Sequence, residues 1–125
     1  MTLAVEAVAQ PGFALAPDYV DGRIILRLSG NADMLAQAAL AQALRQVQAE
    51  ADRLRVREVE CRCGELYFMN SSCFKLFVIW VTKLLAAAPE RSYRIRITSN
   101  SQLAWQRRTF EALRCLAEKI VTVES

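Results

Sequence analysis

Three segments of this 125-residue chain alternate apolar and polar side chains with a period of two. Ile24, Leu26 and Leu28 alternate with Arg23, Ile25 and Arg27; Val59, Cys61 and Cys63 with Glu58, Glu60 and Arg62; Tyr93, Ile95 and Ile97 with Arg94, Arg96 and Thr98. Successive side chains of an extended strand point to opposite faces, so each segment sends its charged set to one side of a sheet. Several unpaired charges under helices would be prohibitive. Helices are therefore expected on the other face alone, with the charged face in water. Central strands covered on both faces read instead as unbroken apolar runs. A doubly wound nucleotide-binding sheet is disfavoured by this pattern and by the lack of a Gly-rich phosphate loop.

Turn-forming residues divide the rest. Pro11-Gly12 ends the first ten residues, which read as a poorly ordered lead-in or a loosely attached extra strand. Phe13–Tyr19 reads as a strand kept at an edge by Pro17, which has no amide proton to give a neighbour. Asp21-Gly22 is a hairpin signal, with Arg23–Ser29 as the second strand. After Gly30-Asn31-Ala32-Asp33 the period changes. Leu40, Leu44, Val47, Ala51 and Leu54 recur every three or four residues, one face of a helix that Asp33 is placed to cap. Val56–Cys63 alternates again, and Phe74–Ala88 reads as a helix capped by the serines before it and stopped at Pro89. Tyr93–Thr98 is a strand, Ser101–Lys119 a helix on Leu103, Gln106, Phe110, Leu113 and Ala117, and Ile120–Val123 a last strand. The order is β-β-α-β-α-β-α-β, with crossovers long enough for parallel pairing and expected to be right-handed.

Composition bounds the function. At 54% apolar and 23% charged, the chain has the means to build one core and is not a disordered segment. It contains no histidine, which excludes Ser-His-Asp and Cys-His catalysis and His-ligated metal sites. An enzyme is not expected, since no nucleophile has an available base, and no metal or cofactor is indicated. Four cysteines show no CxxC spacing, so a zinc ribbon is poorly supported. Cys61, Cys63 and Cys115 are read as small buried hydrophobes. A net charge of +3 is too weak to argue nucleic-acid binding. The first ten residues lack the basic region of a signal peptide and include Glu6. Phe74–Ala88 is interrupted by Lys75 and Lys83 and falls short of the roughly 20 residues a bilayer requires. A cytoplasmic protein with no membrane contact is expected.

One stretch carries chemistry: Leu66-Tyr-Phe-Met-Asn-Ser-Ser-Cys-Phe-Lys-Leu76. An apolar strand end passes through Asn70-Ser71-Ser72-Cys73 into a strongly apolar helix. Hydroxyls at a strand-to-helix turn lie beside the unsatisfied amides of the first helical turn, where the helix dipole also favours an anion. Cys73 sits where a thiolate would be stabilised, which opens a redox reading beside that of a plain substitution. Together with the strand order, this stretch resembles the STAS family, named for sulfate transporters and anti-sigma factor antagonists. Phe68-Met-Asn-Ser-Ser-Cys-Phe74 is similar to the family's Asp-Ser-Ser-Gly turn before the second helix. Leu28-Ser-Gly-Asn-Ala-Asp33 is similar to its Gly-x-x-Asp loop leading into the first helix. The sequence departs from the family at Asn70, which lacks the carboxylate, and at Cys73, which replaces glycine.

The resemblance implies an α/β fold: a mixed sheet of about five strands with about three helices on one face, joined as a right-handed βα superhelix. It covers residues 13–125 as a single domain after a lead-in over residues 1–12. It also implies a bacterial signalling protein that regulates transcription by binding an anti-sigma kinase or similar ATPase. By position, Ser72 would be the phosphorylation site, with Ser71 beside it. The partner-binding set would be Gly30, Asp33, Asn70, Ser71, Ser72, Cys73, Phe74, Lys75 and Val78. The alternative is a STAS-like interaction scaffold, or a small-ligand or lipid-binding module, that is never phosphorylated. The helix after the turn is apolar around most of its circumference, so it is either buried between its neighbours or offers Phe74, Val78 and Ile79 to a partner or a homodimer. Arg107, Arg108 and Arg114 beside Trp105 read as a solvated face because Glu111 and Glu118 lie among them. The alternating arginines of the open sheet face, Arg23, Arg27, Arg94 and Arg96, are the better candidate for an acidic partner.

Overall fold

Asp21 and Gly22 both adopt positive φ, 52° and 75°, the backbone of a two-residue hairpin turn whose twist matches that of its strands. The turn joins β2 (Phe13–Val20) to β3 (Arg23–Ala32), with Val20 opposite Arg23. The computed structural model describes residues 2–125. The chain continues through α1 (Gln37–Leu54), β4 (Glu58–Met69), α2 (Ser71–Leu85), a 3-10 turn at Pro89–Arg91, β5 (Arg94–Thr98), α3 (Ala104–Leu116) and β6 (Val121–Glu124). All strands join one sheet in chain order, β2 antiparallel to β3 and the strands from β3 to β6 parallel.

The sheet has six strands where about five are expected, because the lead-in supplies one. Val8–Gln10 forms β1, paired antiparallel with Phe13–Leu15. Pro17 lies beyond its reach, where the outer side of β2 has no neighbour and a missing amide proton costs nothing. The residues before β1 pack on α1. The amide of Ala4 donates to Glu50 Oε1 at 2.7 Å, that of Glu6 to Gln46 Oε1 at 2.9 Å, and Val5 is buried. Residues 4–6 thus form a strap across α1, and β1 is the extra strand that the sequence offers as the alternative to a lead-in.

The apolar sets of the alternating strands and the buried faces of all three helices form one core. Ile24, Leu26, Val59, Cys61, Ile95 and Ile97 meet Leu40, Leu44 and Val47 of α1, Phe77, Trp80 and Val81 of α2, and Phe110 and Leu113 of α3. Trp80, 1% exposed, donates its indole N–H to the Tyr93 hydroxyl at 2.7 Å, so its one polar atom is satisfied inside the core. The charged sets line the opposite face. Arg94 is exposed and Arg96 is 31% exposed at its side chain, with no helix above either. The ladder is charge-balanced. Arg23 pairs with Glu58 and Glu60 at 3.4 and 3.1 Å, Arg62 with Glu60 at 2.7 Å, and Arg96 with Glu58 and Glu124 at 2.7 and 3.2 Å. Arg23 and Arg96 are therefore already neutralised by the chain's own carboxylates and Arg27 lies 4.0 Å from Asp18, while Arg94 has no ion pair among the described residues, which weakens the case for an acidic partner on this face.

All three helices differ at their ends from the sequence reading. The Asp33 carboxylate does not cap α1. It accepts from the amide of Leu35 at 3.0 Å, closing a local turn, and the helix begins at Gln37 behind Ala36, which offers no side-chain cap. The second helix starts at Ser71 and ends at Leu85, short of Pro89. The third is shorter than Ser101–Lys119, because Asn100 Oδ1 holds the amide of Gln102 in a turn and Ala117 leaves helical geometry at φ −148°.

Two consequences are measurable. Gly30 has φ +88°, and a Cβ there would lie 2.1 Å from the carbonyl oxygen of Gly12, which already accepts from the amide of Asn31 at 2.6 Å. Gly30→Ala should cost about 3 kcal/mol in urea unfolding, because strain and overlap act together; Gly64→Ala, with nothing within 4 Å of its Cβ, should cost far less. The second concerns Glu50. Hydrogen bonds from Arg53 and from the Ala4 amide hold its carboxyl at about 2, below the ordinary 4.5. A carboxylate depressed on folding stabilises the protein above its unfolded pKa, and that contribution is lost as pH falls through the folded one. Stability should therefore drop between pH about 4.5 and about 2, and Glu50→Gln should flatten that part of the curve while freeing residues 2–6 to rapid amide exchange.

Candidate functional site

Parallel strands end at one rim of the sheet, and two successive βα connections leave that rim side by side. One is the β3–α1 loop, the other the β4–α2 turn. The amide of Asn70 donates to the carbonyl of Ala32 at 2.9 Å, and the Cys73 thiol lies 3.5 Å from the carbonyl of Asp33. Of the residues expected in the site, Asp33 and Asn70–Cys73 are therefore brought together.

β4 arrives at this turn through an interrupted ladder. Its register against β3 shifts between Arg27 and Ser29 and again between Gly30 and Asn31. Carbonyls at and beyond the first shift, past the last β4–β5 pair of Arg62 and Thr98, need other donors. Gln106, fully buried on α3, supplies its amide to the carbonyls of Cys63 and Leu66 at 2.7 and 2.8 Å, and Asn100 Nδ2 donates to the Gly64 carbonyl at 3.0 Å. Gln106 Oε1 in turn accepts from the amide of Asn100 at 2.7 Å. The second shift re-aims the strand's last side chains, so that Tyr67 and Phe68 are 56% and 48% exposed. Across the rim, Met34 and Leu35 on the β3–α1 loop are 80% and 81% exposed. Sequence reasoning missed these four. The signal for Tyr67 and Phe68 was the run Leu66-Tyr-Phe-Met69, which breaks the alternation, together with Gly64 within a strand, a bulge mark.

The cap of α2 is Asn70, not the serines. Its side-chain oxygen accepts from the Cys73 amide at 2.8 Å, and its backbone carbonyl from the Phe74 amide at 3.0 Å. Ser71 and Ser72 occupy the first helical turn with both side chains exposed, and their amides donate to no acceptor among the described residues. No acidic residue lies in that turn. The site thus offers two free hydroxyls over two free N–H groups at the positive end of a helix, a setting that stabilises an anion.

The remaining expected residues fall differently. Gly30 packs on the Gly12 carbonyl and serves the β1–β2 turn. Cys73 is 0% exposed, so its side chain cannot be a partner contact. Burial pushes its thiol up, and the Asp33 carboxylate adds to the effect, which removes the redox reading. Its sulfur fills the seam between the two loops. Phe74 and Val78 are half-buried against the core, while Lys75 and Ile79 face outward, Ile79 at 42% exposure. Cys61 and Cys63 are buried, and burial holds the Cys63 thiol at about 12. Cys115, expected inside, is exposed because it lies off the Phe110–Leu113 face of α3. No group of His, Cys, Asp or Glu among the described residues could hold a metal ion, and no helix among them is long and apolar enough to cross a membrane.

The antiparallel hairpin, the parallel βα succession and helices on one face define the fold of the STAS domain. Two solved structures share it. One is an anti-sigma factor antagonist from Mycobacterium paratuberculosis, with a TM-score of 0.69 and 16% identity over 94% of this chain and 90% of that one. The other is the anti-sigma factor antagonist SpoIIAA in its unphosphorylated form, with a TM-score of 0.63 and 20% identity over 90% of this chain and 89% of that one. The likeness is one of fold. No family model matches the chain, and no curated protein matches it in sequence.

The cap and the thiols are open to test. Asn70→Ala should cost about 1 kcal/mol and speed exchange of the Cys73 amide, whereas Asn70→Asp should keep the cap. In the native protein one thiol, that of Cys115, should react rapidly with a disulfide reagent, and Cys115→Ser should abolish the fast phase.

Proposed function

We propose that this chain is a non-enzymatic, cytoplasmic regulator of the anti-sigma factor antagonist kind. It binds a protein partner, an anti-sigma kinase or similar ATPase, at the rim formed by the β3–α1 loop and the β4–α2 turn, and phosphorylation of Ser72 releases that partner. The observation that carries this reading is that Asn70 performs the capping, which leaves both hydroxyls without a structural task and in solvent. Support also comes from the exposed apolar residues beside them, Met34, Leu35, Tyr67 and Phe68, since exposed apolar clusters at a polar rim mark protein contacts. Both solved structures of like fold are anti-sigma factor antagonists.

A phosphate on Ser72 adds about −1.5 to −2 charges and three acceptor oxygens. At the start of α2 it would meet the free amides of the first turn, so the helix tolerates it. A partner seated against Met34, Leu35, Tyr67 and Phe68 would instead have to bury it, which is costly without a cation in place.

Pull-down from the native host tests this. Wild-type protein should recover an ATPase; Ser72→Ala should recover it undiminished, and Ser72→Asp should lose it. Mass spectrometry of the same host should find phosphate on the Asn70–Phe74 peptide. Equal recovery by Ser72→Asp together with an unmodified peptide under all growth conditions would leave the alternative, an unmodified interaction scaffold.

A further inference from the structure

We propose a second binding site at the opposite end of the parallel strands, a cleft for a compact diphosphate-type anion. It does not rest on the function proposed for the rim. β4 spans twelve residues, so this end lies roughly 35 Å from the hydroxyl pair. Here a cleft of about 390 Å³ opens between the α1–β4 connection, the start of β5 and the α3–β6 connection. That volume suits a small ligand and not a macromolecule.

Four cations line it: Arg55, Arg57, Arg94 and Lys119. None has a carboxylate within ion-pair distance among the described residues, whereas Arg23, Arg62 and Arg96 along the open face are paired. The one carboxylate on the lining is Glu90, which leaves a surplus of three positive charges. The whole chain carries no larger excess, +3. Helix C-termini attract cations, and Arg55 closes α1 while Lys119 follows α3. Two such ends present about half a charge each, however, and cannot account for four.

One guanidinium is held in place. Arg57 Nη2 donates to the Asp21 carbonyl at 3.1 Å, and the Arg57 carbonyl accepts from the Arg94 amide at 3.1 Å, which ties the backbone of the α1–β4 connection to the start of β5. Arg55 stands at φ +51° as the α1 cap, its amide donating to Asp52. Guanidinium groups match phosphate oxygens with paired N–H donors, and the Ser92 hydroxyl on the lining adds a neutral donor. Four cations lining one cleft with a surplus of three charges favour an anion of multiple charge over a single carboxylate.

Inorganic pyrophosphate titrated into the full chain at low salt should saturate one site. Amide shifts should centre on residues 55–57, 90–94 and 119–120. Arg94→Gln/Lys119→Gln, at two exposed positions, should weaken binding at least about tenfold. Arg107→Gln/Arg108→Gln, which removes equal charge from exposed sites on α3, should leave it unchanged. ADP binding as tightly as pyrophosphate would place the diphosphate on a nucleotide, and pyrophosphate binding alone would make it the free anion; either supports the site. Absence of saturation, shifts centred on the β4–α2 turn, equal losses in both double variants, or tighter binding of an acidic oligopeptide would each overturn it.

Discussion

Charged side chains along β3, β4 and β5 keep one face of the sheet in water, and the remaining architecture follows from that restriction. Arg23, Glu58, Glu60, Arg62 and Arg96 form a cross-strand ladder of alternating sign. Each pair contributes little by itself at the surface, but a helix laid over the ladder would have to desolvate all of it. Even Glu60, buried at 6% exposure, stays ionised. Burial would raise its carboxyl, yet hydrogen bonds and charge from Arg62, Arg96 and Thr98 outweigh that and hold it below the usual range. With one face closed to helices, α1, α2 and α3 all pack on the other. Successive βα connections then leave the same rim side by side, which is how the β3–α1 loop comes to touch the β4–α2 turn.

The same restriction separates the two ends of the sheet. Helix N-termini gather at the rim of Ser71 and Ser72, and helix C-termini at the end of Arg55 and Lys119. The first end carries partial positive charge on free amides with few charged side chains, and the second carries partial negative charge under a surplus of cations. Each is suited to anions by a different device, backbone amides at one and guanidinium groups at the other.

How far the sequence disclosed this depends on the range of the interactions involved. Alternation, hairpin chemistry and helical period are local, and they located every strand and α-helix after residue 12, with most ends within three residues; β4 runs six residues beyond the expected Cys63, to Met69. The one-sided packing was also legible, because it follows from the polarity of single side chains. Long-range bonds were not. Ala4 and Glu6 hold to α1 through Glu50 and Gln46, forty or more residues away, and the sequence offers an extra strand before Pro11 only as one of two alternatives. Gln106 fell correctly on the inner face of α3, but its task, satisfying the carbonyls of a bulge in β4, depends on a register that only the assembled sheet defines. The serines were placed as caps because serine commonly caps; Asn70, one residue earlier, takes that position in the structure.

That exchange of roles bears on how a turn of this kind could signal. A carboxylate cap would neutralise part of the helix's positive end before any modification. Asn70 supplies the same hydrogen bond to the Cys73 amide without the charge, and no acidic residue follows in the first turn. The unmodified start of α2 therefore carries the helix's partial positive charge and, one helical turn on, the exposed Lys75, with the Asp33 carboxylate on the neighbouring loop. On the proposed reading, a phosphate at Ser72 would reverse the sign at the start of α2 and add to the negative charge of Asp33. Cys73 makes the reversal mechanically local: its buried sulfur fills the seam between the turn and the Asp33 loop, so the backbone there has little room to shift. The change a partner would meet is one of charge on a fixed surface, and discrimination would rest on desolvating that charge against Met34, Leu35, Tyr67 and Phe68.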